Sequence, residues 1–85
     1  MKDYESAIKE YSEAILLNPD DNQALRYRGA AYRLKGQYEK AIADYSRMIS
    51  LNPKDPYPLR ARGDTYRVNG QFDKAIDDYT LQFAI

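Results

Sequence analysis

Apolar side chains recur along the chain with the spacing of an α-helix. Over residues 37–51 they fall three, four and seven positions apart, which places them on one helical face: Tyr38, Ala41, Ile42, Tyr45 and Ile49. A shift of 34 positions in either direction finds the pattern again, as Ala7, Ile8 and Tyr11 and as Ala75, Ile76 and Tyr79. The pattern predicts three similar amphipathic helices, termed the B helices, over about 3–17, 37–51 and 71–84.

Two further helices, termed the A helices, are predicted between the B helices, over about 22–35 and 56–69. Asp21 and Asp55 stand where an N-cap carboxylate accepts backbone N–H groups. Gly36 and Gly70 stand where a helix commonly ends in the left-handed conformation. The second B helix stops before Pro53, because the residue that precedes a proline is disfavoured in a helix. The predicted fold is therefore all-α, with five helices in the order B–A–B–A–B.

The chain repeats itself with a period of 34 residues, and 19–51 aligned with 53–85 gives 15 identical residues in 33 pairs. A helical hairpin of this period, with small and aromatic residues at fixed positions, resembles the tetratricopeptide repeat. The matching positions are Gly29, Tyr32, Ala41, Tyr45 and Pro53, and in the next copy Gly63, Tyr66, Ala75 and Tyr79. Leu25 and Leu59 stand where the family often has tryptophan, whereas Met48 and Gln82 replace a small residue.

The resemblance implies a right-handed superhelical solenoid of helical hairpins. On this basis the chain is one domain, with a half repeat 1–21, a repeat 22–55 and a truncated repeat 56–85. Gly29 and Gly63 are expected to let each A helix approach the alanines of its B helix closely. The matched tyrosines are expected to fill the space beside this contact, and packing is favoured over a role in stacking against a ligand.

The charges are divided unequally between the two kinds of helix, although Lys and Arg balance Asp and Glu at 13 each. The A segments carry seven basic side chains and one acidic one, and the B segments carry four basic and nine acidic. In the family that the chain resembles, the A helices line the concave surface. The resemblance therefore implies a positive groove and a negative outer face.

Helical spacing places one set of A-helix residues on a single face, which the resemblance assigns to the groove. These residues are Gln23, Arg26, Ala30 and Arg33, and in the next copy Tyr57, Arg60, Asp64 and Arg67. Arg28 and Arg62 point nearly the opposite way, so their stems should cross a neighbouring helix and end in water or on a B-helix carboxylate. The groove arginines either are solvated or neutralised by neighbouring acids, or grip the carboxylates of an extended peptide. Some family members bind a terminal carboxylate with Lys and Asn, and that constellation is not present here.

Catalytic chemistry is not indicated. The chain has no His and no Cys, which removes the commonest metal ligands and the usual general base. The serines and threonines have no basic partner to activate them. Asp73, Asp77 and Asp78 are interpreted as a solvated acidic face, in preference to a weak cation site. We expect no enzyme activity, no cofactor, no metal and no small-molecule substrate. No apolar run is long enough to span a membrane, so we expect a soluble chain, with the cytoplasm favoured.

The leading functional hypothesis is a scaffold or adaptor module whose groove binds a protein or peptide, with an acidic segment favoured. The alternative is self-assembly, because the helix predicted over 3–17 has no preceding A helix to cover its apolar face and the helix over 71–84 has no capping helix after it. Such a chain should dimerise end to end, swap a helix, or belong to a longer protein. RNA binding is the third class, and the zero net charge argues against it.

Overall fold

The computed structural model describes residues 3–85, and within them the chain forms helices and no strands. The helices are α1 (Tyr4–Leu17), α2 (Asn22–Leu34), α3 (Tyr38–Leu51), α4 (Pro56–Val68) and α5 (Phe72–Ala84). Each boundary lies within one residue of the prediction, so the all-α order B–A–B–A–B is confirmed. Residues 1 and 2, which begin the predicted half repeat, lie outside the described residues.

Local side-chain chemistry sets where the A helices begin and end. Asp21 caps α2 by accepting a hydrogen bond from the backbone N–H of Ala24 at 3.1 Å, and Asp55 does the same for α4 through the N–H of Tyr57 at 3.0 Å. The turns after α2 and α4 contain Gly36 and Gly70, whose φ angles are 84° and 81°. That left-handed conformation favours glycine, as expected for a helix C-terminus.

Successive helices pack on one another, so that α2 lies against α1 and α3, and α4 lies against α3 and α5. The hydrophobic core is centred on α3 and takes its buried side chains from three helices: Leu25, Ala41, Tyr45, Met48 and Ala61. Met48, at a position where the family has a small residue, is 1% exposed and fills this core. None of the helices within residues 3–85 is long and apolar enough to cross a membrane.

The two A-helix glycines lie against tyrosine rings of the following B helix. A β-carbon added to Gly29 would lie 2.9 Å from the nearest ring carbon of Tyr45, and one added to Gly63 would lie 2.8 Å from the ring of Tyr79. These distances are too short for a real side chain. The close approach expected from the sequence is thus made by a ring resting on a bare glycine, and the ring of Tyr45 is completely buried.

Gly29→Leu is expected to lower the free energy of unfolding by about 1–3 kcal/mol, because the new side chain overpacks a site at which Tyr45 has no room to move. Gly63→Leu makes the matched control. Gly63→Leu should lower the free energy of unfolding by less than Gly29→Leu does, since Tyr79 is only half-buried and its ring can shift outward. Urea denaturation of both variants beside the wild type checks the prediction, and equal losses would show that the burial of Tyr45 is not the reason.

Candidate functional site

Arg28 and Arg62 form matching ion pairs in the two hairpins, each spanning three helices. Arg28 on α2 donates to both carboxylate oxygens of Asp44 on α3, at 2.8 and 2.7 Å, and to the hydroxyl of Ser12 on α1 at 3.1 Å. Arg62 repeats the arrangement with Asp78 on α5 at 2.8 Å and with Ser46 on α3 at 2.9 Å. These two arginines therefore join helices, as the sequence indicated, and their carboxylate partners lie on B helices.

The partners of these arginines differ from the surface acids expected from the sequence. Asp44 and Asp78 are 4% and 3% exposed, so the interpretation of Asp78 as part of a solvated acidic face is wrong. Asp73 and Asp77 on the same helix are exposed. The hydrogen bonds to the carboxylates raise the pKa of Arg28 and of Arg62, against the opposing effect of burial.

Three other arginines make no ion pair with any residue from 3 to 85: Arg26, Arg33 and Arg60. All three belong to the predicted groove set. Lys35 at the end of α2 pairs with Glu5, and Arg47 on α3 pairs with Asp20. Within residues 3–85, the arginines that lack a carboxylate partner therefore lie on α2 and α4, and on the face that the sequence assigned to a partner.

A cavity of about 290 Å³ brings these two helices together, and we term it the arginine cavity. Its walls are one side chain of α2 and four residues of α4, namely Arg33, Tyr57, Arg60, Ala61 and Asp64. The guanidinium of Arg26 lies 4.1 Å from the centre of the Tyr57 ring, at the distance of a cation–π contact. Four of the predicted groove residues thus line one depression, and Arg26 adjoins it.

Asp64, the one carboxylate on the wall of the arginine cavity, is already engaged. It accepts a hydrogen bond from the hydroxyl of Tyr79 and lies 3.8 Å from the guanidinium of Arg67. Arg67 also donates to the same Tyr79 hydroxyl at 3.3 Å. This carboxylate is therefore paired within α4 and α5, and the cavity wall carries two guanidiniums against one carboxylate.

Two of the predicted groove residues lie elsewhere. Gln23 lines a separate depression of about 250 Å³ together with Tyr11 and Tyr27. Ala30 lines another of about 350 Å³, bounded by α1 side chains and again by Tyr27. The structure does not bring Gln23 to the arginine cavity. Tyr27, which the sequence analysis did not assign to a surface, lines both of these other depressions.

Of the residues assigned to packing, the two alanines and one tyrosine are the most enclosed. Ala41 and Tyr45 are fully buried and Ala75 is 2% exposed. Half-buried positions are held by Tyr32, Tyr66 and Tyr79, and Pro53 is exposed beyond the end of α3. The hydroxyl of Tyr45 is buried without a hydrogen-bond partner among residues 3–85, and burial raises the pKa of Tyr45 to about 12. A packing assignment alone does not account for an unpaired buried hydroxyl.

Apolar side chains of α5 remain exposed at positions that are covered in α3. Ile42 on α3 is 9% exposed, whereas Ile76, its equivalent on α5, is 60% exposed. Phe72 and Phe83 on α5 are likewise exposed. The difference arises because α4 covers α3 and no described helix covers α5 in the same way. Within residues 3–85, no three carboxylates are grouped so as to hold a metal ion.

The sequence matches the family model of the tetratricopeptide repeat over residues 1–56. No match was found among curated proteins. Two crystal structures of MamA superpose with TM-scores of 0.90 and 0.92 at 27% identity, covering 95% of this chain and 47% and 44% of their own. The CopN-Scc3 complex superposes with a TM-score of 0.91 at 22% identity, covering 95% of this chain and 48% of its own. The chain thus spans about half the length of these structures.

Proposed function

Because the chain belongs to the tetratricopeptide repeat family, a fold of protein-interaction modules, we propose that it is a non-catalytic module that binds an acidic peptide segment at the arginine cavity. The observation that carries the proposal is the contrast between two sets of arginines. Arg28 and Arg62 form ion pairs with buried aspartates and thereby join neighbouring helices. Arg26, Arg33 and Arg60 have no such partner among residues 3–85 and gather around one depression.

The geometry suits carboxylate side chains of an extended chain. A guanidinium presents a planar fork of donors that pairs with both oxygens of a carboxylate. Arg33 on α2 and Arg60 on α4 both line the arginine cavity, so a peptide lying between the helices would present an acid to each. In this proposal residues 1–85 act as one binding unit, because the site takes side chains from both hairpins.

The test uses a defined probe, since the natural partner is not identified. A fluorescein-labelled peptide of six glutamates, capped at both ends, should bind more tightly than the matching peptide of six glutamines. Fluorescence anisotropy measures both affinities. The advantage of the acidic peptide should shrink between 50 and 500 mM NaCl. The distance over which exposed charges attract each other is about 10 Å at 0.1 M salt, and it shortens as the salt concentration rises. Equal binding of the two peptides at low salt would contradict the proposal.

Self-association is the second candidate function, favoured by the exposed apolar side chains of α5. Phe72, Ile76 and Phe83 together present a face of the kind that helical repeats normally bury on a neighbour. Sedimentation velocity distinguishes the two functions. An average mass that rises with protein concentration, and that returns to the monomer in a Phe72→Ser/Ile76→Ser variant, would support self-association through α5. A monomer at all concentrations would exclude it.

A further inference from the structure

The second hairpin contains a small polar cluster that the first hairpin lacks. In the second hairpin the hydroxyl of Tyr79 donates to the carboxylate of Asp64 and accepts from Arg67 at 3.3 Å. The residues that stand 34 positions earlier are Tyr45, Ala30 and Arg33. The tyrosine and the arginine are therefore kept, but the carboxylate is replaced by a methyl group.

This single difference explains the unpaired hydroxyl of Tyr45. The ring of Tyr45 rests on Gly29 as the ring of Tyr79 rests on Gly63, so the two hydroxyls reach equivalent places beside residues 30 and 64. The hydroxyl of Tyr79 finds an acceptor there, and that of Tyr45 finds none among residues 3–85. With a pKa of about 12, raised by burial, Tyr45 keeps its proton at neutral pH and remains a donor.

The hydroxyl of Tyr45 lies next to the arginine cavity. Arg33 and Tyr57 both line that cavity, and Arg33 stands 34 positions before Arg67, which donates to the equivalent hydroxyl of Tyr79. The ring of Tyr57 meets the ring of Tyr45 edge-on, with 6.4 Å between their centres. Arg60 stands on the wall beside them. A buried donor thus lies behind the Tyr57 ring, and two guanidiniums without carboxylate partners among residues 3–85 line the same cavity as that ring.

We infer that this cluster is a subsite for one carboxylate of the bound peptide, which accepts the Tyr45 hydroxyl proton in a hydrogen bond and pairs with Arg33. The ligand's carboxylate plays the part that Asp64 plays in the second hairpin, and Arg60 adds a second cation. Entry requires the half-buried side chain of Tyr57 to turn outward. The inference rests on the proposed function, because it names one position within the same site.

Ala30→Asp tests the inference by supplying the missing carboxylate from the chain itself. The new aspartate should bond to Tyr45 as Asp64 bonds to Tyr79. We expect the melting temperature to rise by about 4 °C or more. The affinity for the six-glutamate peptide should fall at least about tenfold, because the new carboxylate engages the Tyr45 hydroxyl and Arg33, as Asp64 engages Tyr79 and Arg67. Ala30 is half-buried on the helix surface, so the aspartate fits without disturbing the core.

Tyr45→Phe separates the hydroxyl from the general effect of charge. It leaves every charge in place and removes only the unpaired donor, so we expect about fivefold weaker binding of the six-glutamate peptide and no fall in melting temperature. Tyr38→Phe is the control, since it removes the hydroxyl of a half-buried tyrosine of the same helix that does not line the arginine cavity, and its peptide affinity should equal that of the wild type. Ala30→Asp added to Tyr45→Phe should no longer raise the melting temperature.

The outcomes separate this inference from the proposed function. Wild-type affinity in Tyr45→Phe, with preference for glutamate over glutamine retained, would overturn the subsite and leave the acidic-peptide function standing. A rise in melting temperature for Ala30→Asp that persists in the Tyr45→Phe background would also overturn it. Equal binding of the two peptides by the wild type would remove both proposals.

Discussion

Asp44→Ala is expected to lower the free energy of unfolding by about 3 kcal/mol, the cost of leaving one member of a buried ion pair without its partner. The carboxylate of Asp44 is the bidentate acceptor of Arg28, and its side chain is only 5% exposed. Its loss removes the ion pair between α2 and α3 and leaves the Arg28 guanidinium partly buried beside Ser12. A small domain has a total stability of about 5–15 kcal/mol, so the loss is a large fraction of it. Chemical denaturation followed by circular dichroism measures it.

The matched comparison lies in the second hairpin. There Asp78→Ala should lower the free energy of unfolding by a similar amount, and Asp77→Ala should leave it almost unchanged. Asp77 and Asp78 are neighbours on α5, but only Asp78 is buried on an arginine. Arg28→Met combined with Asp44→Leu should recover much of the stability, because an apolar pair of similar volume carries no desolvation penalty. A negligible loss in both Asp44→Ala and Asp78→Ala would contradict the structural role of these pairs.

Arg33→Glu combined with Arg60→Glu is expected to weaken binding of the six-glutamate peptide by at least about thirtyfold. Each arginine contributes roughly 1 kcal/mol as a partly exposed ion pair, and reversal also adds repulsion. A loss of 1.4 kcal/mol corresponds to about a factor of ten in affinity. The fold should be retained, since neither guanidinium is in an ion pair within residues 3–85. Fluorescence anisotropy measures the affinity, and circular dichroism checks the fold.

Lys40→Glu combined with Lys74→Glu makes the control of equal charge, because both lysines are exposed on the B helices α3 and α5. It changes the net charge by the same amount away from the arginine cavity. Its affinity should fall only slightly, through the long-range field. Equal losses in the two double variants would indicate non-specific attraction of an acidic peptide, and would remove the arginine cavity as the binding site.

The helices could be predicted from the sequence because their signals are local. The N-cap of Asp21, the left-handed Gly36 and the apolar spacing of α3 each depend on residues within one or two turns. The period of 34 residues then groups each A helix with the B helix that follows it as one repeat. The family resemblance adds what the spacing alone does not contain, namely which helices form the groove.

The site could be predicted only in part. Helical spacing shows on which face of its helix a side chain lies, but not which residue of another helix it contacts. Asp77 and Asp78 are adjacent in sequence, and nothing local shows that one is buried on Arg62. A signal does exist in the recurrence of Ser, Arg and Asp at steps of 16 residues, as Ser12, Arg28 and Asp44, and again as Ser46, Arg62 and Asp78. The unpaired hydroxyl of Tyr45 could not be foreseen, since it depends on the three-dimensional distance to residue 30.

The central claim is that a partner binds the α2 and α4 face of the molecule at the arginine cavity. The most direct measurement follows backbone amide shifts of the ¹⁵N-labelled protein during titration with the six-glutamate peptide. We predict that the largest changes fall on α2 and α4, at Arg33, Tyr57 and Arg60 and their neighbours in sequence, with little change at Phe72 or Phe83 of α5. Largest changes on the exposed face of α5, or an even spread over the B helices, would contradict the claim.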